Sequence, residues 1–217
     1  MRRVTRSGAG IVFTAWLAGA PATAGAEAAG HQPILELRVI TYASLDGKDI
    51  DLARQTATAL LATAGVEVVW RECTGDSCVV PSEGRPFLLV RLLPITKRSD
   101  PAATGEVVRD PTTHAPSVLV YVTRIVGVTQ AIRRSSTGRS NPELATLAAG
   151  HVVGLTIAHE VGHSLGLGHS ASGPMRAQSG PEDLIALRRS MLRFPPITLD
   201  QLTGPTTITS FVDRRPF

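Results

Sequence analysis

The sequence predicts an α+β domain: a mixed sheet, a backing helix and a second long helix on the same face. Three observations predict this. Short runs of alternating or continuous apolar residues are bounded by turn signals, as strands are. Two longer segments repeat apolar residues every three to four positions, as helices do. The resulting order (strand, helix, strand, strand, short strand, strand, helix) suits a sheet whose helices pack on one face.

The elements follow in order. Ile34-Leu35-Glu36-Leu37-Arg38-Val39-Ile40 alternates and reads as a first strand. From Asp49 to Ala64, residues Leu52, Ala53, Ala57, Leu60 and Leu61 fall at helical steps, and Gly65 closes the helix. Val66 to Glu72 and Phe87 to Leu93 read as the second and third strands. Gly105 to Arg109 is a short strand suited to a sheet edge, and Val118 to Thr123 is another strand. A long helix then begins at Pro142 and Glu143 with Asn141 as its cap. Leu144, Leu147, Ala148, Val152, Leu155, Ala158 and Val161 give it an apolar stripe. His151 on this helix reads as a packing or capping residue. Pro181 opens a short helix through Ser190, Leu199 to Leu202 is expected to form one more turn, and the ending is polar.

The second long helix carries the chemistry. Its end reads His159-Glu160-Val161-Gly162-His163-Ser164-Leu165-Gly166-Leu167-Gly168-His169, or H-E-x-x-H-x-x-G-x-x-H. Two residues four apart on a helix lie about 40° apart around the axis and about 6 Å along it, so the rings of His159 and His163 can reach one ion. Glu160 falls on the flank of that face, placed to hold a water and take its proton rather than to bind the metal. His169 is too far along for the same helix, so the chain must stop and bend back. Gly166 supplies the positive φ that a helix C-terminus needs for this. Three protein ligands leave a fourth zinc position open, which marks a catalytic rather than a closed structural site.

With these residues, the sequence resembles the metzincin class of zinc peptidases, which share this extended motif and a downstream methionine in a tight turn. Met175 fits that Met-turn within Ser170-Ala171-Ser172-Gly173-Pro174-Met175-Arg176, where Gly173-Pro174 signals the turn. Ser170 directly after the third histidine is similar to the matrixin branch, whereas the short interval to Met175 departs from it. The chain resembles more closely a compact, exported bacterial metzincin. The resemblance implies a metzincin (zincin-like) fold with an N-terminal subdomain over about 33–166, a C-terminal subdomain over about 167–217 and a cleft between them. It also implies one catalytic Zn²⁺ on His159, His163 and His169, with Glu160 as general base and a peptide or protein substrate extended along an edge strand. Arg176 is a candidate donor to the developing oxyanion, and the primary side-chain pocket is expected between Arg176 and Pro195. Tyr42 and Tyr121, in expected strands, have no counterpart role.

Composition sets the compartment and excludes other partners. Residues 1–26 look like an export signal, with Arg2, Arg3 and Arg6 before a short apolar stretch and Ala24-Gly25-Ala26 as the cleavage site, Ala22-Thr23-Ala24 being the alternative. That stretch is too short to span a bilayer, so no stable membrane insertion is expected. Residues 27–217 then form a single domain, secreted or periplasmic and monomeric. Of the 22 basic residues against 18 acidic ones, the signal takes three arginines and no acids, leaving 19 against 18. The remainder is nearly neutral and carries no basic stripe, which argues against nucleic acid. Two cysteines, Cys73 and Cys78, flank a Gly-Asp loop and are expected to form a disulfide in an exported protein. Two alternatives to a zinc endopeptidase stand beside it: a non-proteolytic zinc-binding module, and a zinc amidase acting on cell-wall peptide.

Overall fold

The computed structural model describes residues 33–74, 78, 86–95, 103–109 and 116–195. The expected export signal at residues 1–26, the expected turn at Leu199–Leu202 and the C-terminal residues lie outside them. Five strands form one mixed sheet: β1 (Ile34–Thr41), β2 (Glu67–Glu72), β3 (Phe87–Leu93), β4 (Gly105–Arg109) and β5 (Pro116–Tyr121), in the order β2-β1-β3-β5-β4. The first three pairings are parallel. β4 runs antiparallel to β5, with Glu106 opposite Leu119 and Val107 opposite Val118, and forms one edge of the sheet. Among the described residues, no helix is long and apolar enough to cross a membrane.

Period-two alternation decides which face packs on what. Leu35, Leu37 and Val39 of β1, Leu88, Val90 and Leu92 of β3, and Val118 and Val120 of β5 enter the main core. They meet helix α1 (Gly47–Thr63), through Ala53, Ala57, Leu60 and Leu61, and helix α5 (Ala149–Ser164), through Val153, Ile157, Ala158 and Val161. The opposite face of β1 buries Glu36 and Arg38. Arg38 is held on every side. Its Nε lies 2.9 Å from Glu36 Oε1, its Nη1 donates to Cys78 O at 2.7 Å, and its guanidinium stacks 4.0 Å from the Phe87 ring centroid. Burial of that charge is tolerated because it is paired and hydrogen-bonded.

Two helix boundaries obey local chemistry. Asp46 Oδ1 caps α1 by accepting from Asp49 N at 2.7 Å. At its other end Gly65 adopts φ +80°, and Gly65 N and Val66 N return to the carbonyls of Ala62 and Leu61. This is the paired C-terminal closure that a left-handed residue permits.

Three expectations are corrected. First, the helix expected from Pro142 onward is two helices. Asn141 does cap Pro142–Ala145 (α4), accepting from Leu144 N at 3.2 Å. The chain then extends at Ala148, and His151 Nδ1 accepts from Ala148 N at 3.1 Å, so His151 caps a fresh start of α5. Second, the expected strand at Val118–Thr123 ends at Tyr121, and Val122–Arg134 forms α2, followed by α3 (Ser136–Ser140). Helix α2 is rich in β-branched residues and contains Gly127, both poor helix formers. It forms because Val122, Ile125 and Thr129, at helical spacing, bury against the core side. Third, Cys73 and Cys78 are free thiols rather than a disulfide. Cys78 is buried with Ile40 and Leu89. Burial, then its contact with Cys73, pushes its thiol up to about 11. A thiol held protonated is a poor nucleophile.

Candidate metal centre

Helix α5 is buried nearly all round, which explains its run of small and apolar residues. It presses against α1 at Gly150 and Gly154. A side-chain carbon at Gly154 would lie 2.5 Å from Ala53 O and 2.6 Å from Thr56 Cβ. His159, Glu160 and His163 lie beyond that contact, toward the C-terminal end of α5.

The helix ends as the motif requires. Gly166 has φ +84°, Gly166 N donates to His163 O at 3.0 Å, and Leu167 N donates to Gly162 O at 2.9 Å. This closure reverses the chain and swings the Leu167 carbonyl onto the ring of His163, whose Nδ1 lies 2.8 Å away. The turn at Gly173 (φ +82°) does the same for the other helical ligand. It places Pro174 O 2.7 Å from His159 Nδ1. Met175 is buried with its sulfur packed under Gly162, where any added side-chain carbon would collide with it. Met175 thus supports the helix turn that separates the two ligands without approaching them as a donor.

These backbone bonds determine the tautomers. A carbonyl oxygen only accepts, so Nδ1 of His159 and of His163 must carry the proton. Their Nε2 atoms are then bare lone pairs. His163 Nε2 lies 3.0 Å from His159 Nε2 and 3.1 Å from His169 Nε2. Lone pairs facing one another at that range repel unless a cation lies among them. Four-coordinate zinc at about 2.0–2.1 Å from each nitrogen would separate neighbouring donors by about 3.3 Å, close to what is found. All three ligand atoms fall within 4.8 Å of one another, close enough to hold one metal ion. His169 is exposed and the other two are half-buried, so the centre opens toward solvent on the His169 side.

Glu160 is buried beside this centre, its Cγ and Oε1 against Gly105 of β4, where an added carbon would lie 3.0 Å from each. Burial, and then the charge of Glu106, pushes its carboxyl up to about 8. Glu106 is itself bonded by the Tyr121 hydroxyl. Neither Glu106 nor Tyr121 was identified from sequence as part of the site. The available signal was weak: Glu106 is the one acid in an expected edge strand. His159 is lowered to about 4, chiefly by burial, and burial also lowers His163.

A pH dependence follows for the metal-free protein. An unfolded chain releases the Glu160 proton near 4.5 and the native state near 8, so native stability falls as pH rises between those values. The histidines act oppositely, but mainly below their ordinary 6.5, where the unfolded chain takes up protons first. Between pH 6.5 and 8 the shift of Glu160 outweighs theirs. Urea midpoints measured with a chelator present should fall across that interval; a flat or rising midpoint would mean that Glu160 ionises freely.

The other expected residues are elsewhere or already engaged. His151 contacts Arg188 through Nε2, away from the centre. Arg176 is paired with Glu182 and Asp183, so it does not point free charge at an oxyanion position. Leu184 and Leu192 belong to the main core, Leu187 packs against it, and Met191 is exposed. An open groove of about 400 Å³ lies beside the third ligand, lined by Ser170, Ala171, Arg176, Ala177 and Gln178. Arg176, Ala177 and Gln178 lie at the start of the stretch between Arg176 and Pro195 in which a pocket was expected, while Ser170 and Ala171 extend the groove toward the third histidine. No protein-family model matches the chain, and no curated protein matches it.

Proposed function

We propose that this chain is an exported zinc endopeptidase of metzincin type. The observation that carries the reading is the convergence of three imidazole Nε2 atoms, two with tautomers set by backbone carbonyls, beside a buried carboxyl that is not among the ligands. His159, His163 and His169 would hold the ion. When bound, Zn²⁺ supplies Lewis acidity that makes a water acidic and polarises a carbonyl. Glu160 takes the proton of the attacking water on its carboxylate and delivers it to the departing amine. Its side chain is buried against Gly105 of β4. The edge strand β4, paired on one side with β5, is placed to take an extended substrate chain by backbone hydrogen bonds.

An uncommitted carboxyl beside the ligands argues against a purely structural metal module, which has no use for one. The test is metal analysis of purified protein together with cleavage of a peptide library and of cell-wall fragments. One zinc per chain with chelator-sensitive peptide cleavage is the expected result. Cleavage confined to cell-wall fragments would move the activity to an amidase, and zinc without hydrolysis of either would sink the enzymatic reading.

A further inference from the structure

We infer that Arg176 is a positioning residue for the metal centre: it straps the turn that orients His159 to the first turn of α6 (Pro181–Arg188). The inference rests on the zinc reading above. The turn carries two supports of the site within a few residues. Pro174 O receives the His159 Nδ1 proton, and Met175 lies beneath Gly162. Arg176 N closes the turn on Gly173 O at 3.1 Å. Ser170 N, directly after the third ligand, donates to Met175 O at 2.9 Å. The loop from His169 to Arg176 is therefore one hydrogen-bonded unit, and displacing it moves the His169 and His159 supports together.

The Arg176 side chain fastens that unit to the rest of the fold. Nη1 lies 3.1 Å from Asp183 Oδ2 and also bonds Glu182 Oε1. Asp183 is a firm anchor, buried and with the same Oδ2 accepting Gly180 N at 2.9 Å. With two carboxylates on its guanidinium, Arg176 acts through the turn and not as a donor to substrate. Without the strap, the Pro174 carbonyl loses its one charged tether among the described residues and relies on the packing of Met175, the turn itself and the close approach of Gly173 to the Arg193 backbone. The His159 ring then loses the constraint on its tautomer and rotation, and partners of this kind to metal-bound histidines typically change affinity 10- to 100-fold. A lysine would restore charge but only a single point contact.

The experiment is zinc affinity of the full-length protein, by chelator competition, for the parent, Arg176→Ala, Arg176→Lys and Glu182→Gln. Thermal unfolding of each metal-free form runs alongside. Arg176→Ala should weaken zinc binding about 10-fold and speed zinc release, with Arg176→Lys in between and Glu182→Gln near the parent. Arg176→Ala with parental zinc affinity, even with a lower metal-free Tm, would overturn the inference and leave Arg176 as a fastening for α6 alone. If Arg176→Ala does not fold, the decision rests on Arg176→Lys, whose parental affinity would equally overturn it. A parent protein that binds no zinc would defeat the zinc reading itself, a result separate from any difference among the variants.

Discussion

Glu160→Gln should lower kcat/KM for any cleaved peptide by about 10³-fold and leave one zinc per chain. Glutamine keeps the size and hydrogen-bonding reach of the side chain but accepts no proton, and general-base contributions run at about 10²–10⁴. Metal content should not change, since the three ligand nitrogens come from His159, His163 and His169 and not from Glu160. Stability gives a second readout. In the parent, burial and then the charge of Glu106 disfavour the ionised carboxylate of Glu160. The amide has no charge to bury or repel, so the metal-free variant should be more stable than the parent at pH 8 and should lose the pH dependence between 6.5 and 8. Activity above a tenth of the parent's would remove Glu160 from the chemistry.

Gly154→Val should destabilise the protein by about 3 kcal/mol, a fall in Tm of roughly 6–12 °C for a chain of this size. The first new carbon would meet the backbone oxygen of Ala53 at 2.5 Å, and a backbone oxygen in the middle of α1 moves only with its helix. Because α5 carries His159 and His163, the same displacement should weaken zinc binding at a distance from the ligands. Gly127→Ala in α2 is the matched control. Gly127 is exposed with open space around it, and the change should raise stability by about 0.5–1 kcal/mol. Equal effects of the two substitutions in urea unfolding would mean that the contact between α1 and α5 is slack.

Much of the site was readable because its geometry is local. Spacing alone brings His159 and His163 to one helix face, and Gly166 is where the observed chain takes φ +84°. Asn141, Gly65 and His151 likewise behave as their neighbours dictate, as caps and closures within a few residues. Helix α2 was missed for the converse reason. Its residues individually disfavour a helix, and it is the burial of Val122, Ile125 and Thr129 that overrides them. The break between α4 and α5 escaped because Leu144 and Leu147 continue the apolar rhythm across it.

The linear order of residues thus determined the candidate metal-binding histidines, the acid beside them and the turn that returns the third histidine, since each depends on contacts within eleven positions. Folding alone decided that Gly105 and Glu106 of an edge strand would lie against Glu160, that Pro174 would hold the His159 proton, and that Arg176 would answer to Asp183 instead of to a substrate. Those relations join segments far apart in the chain or depend on the path of a loop. Their energies come from burial and charge at close range, which no periodicity encodes.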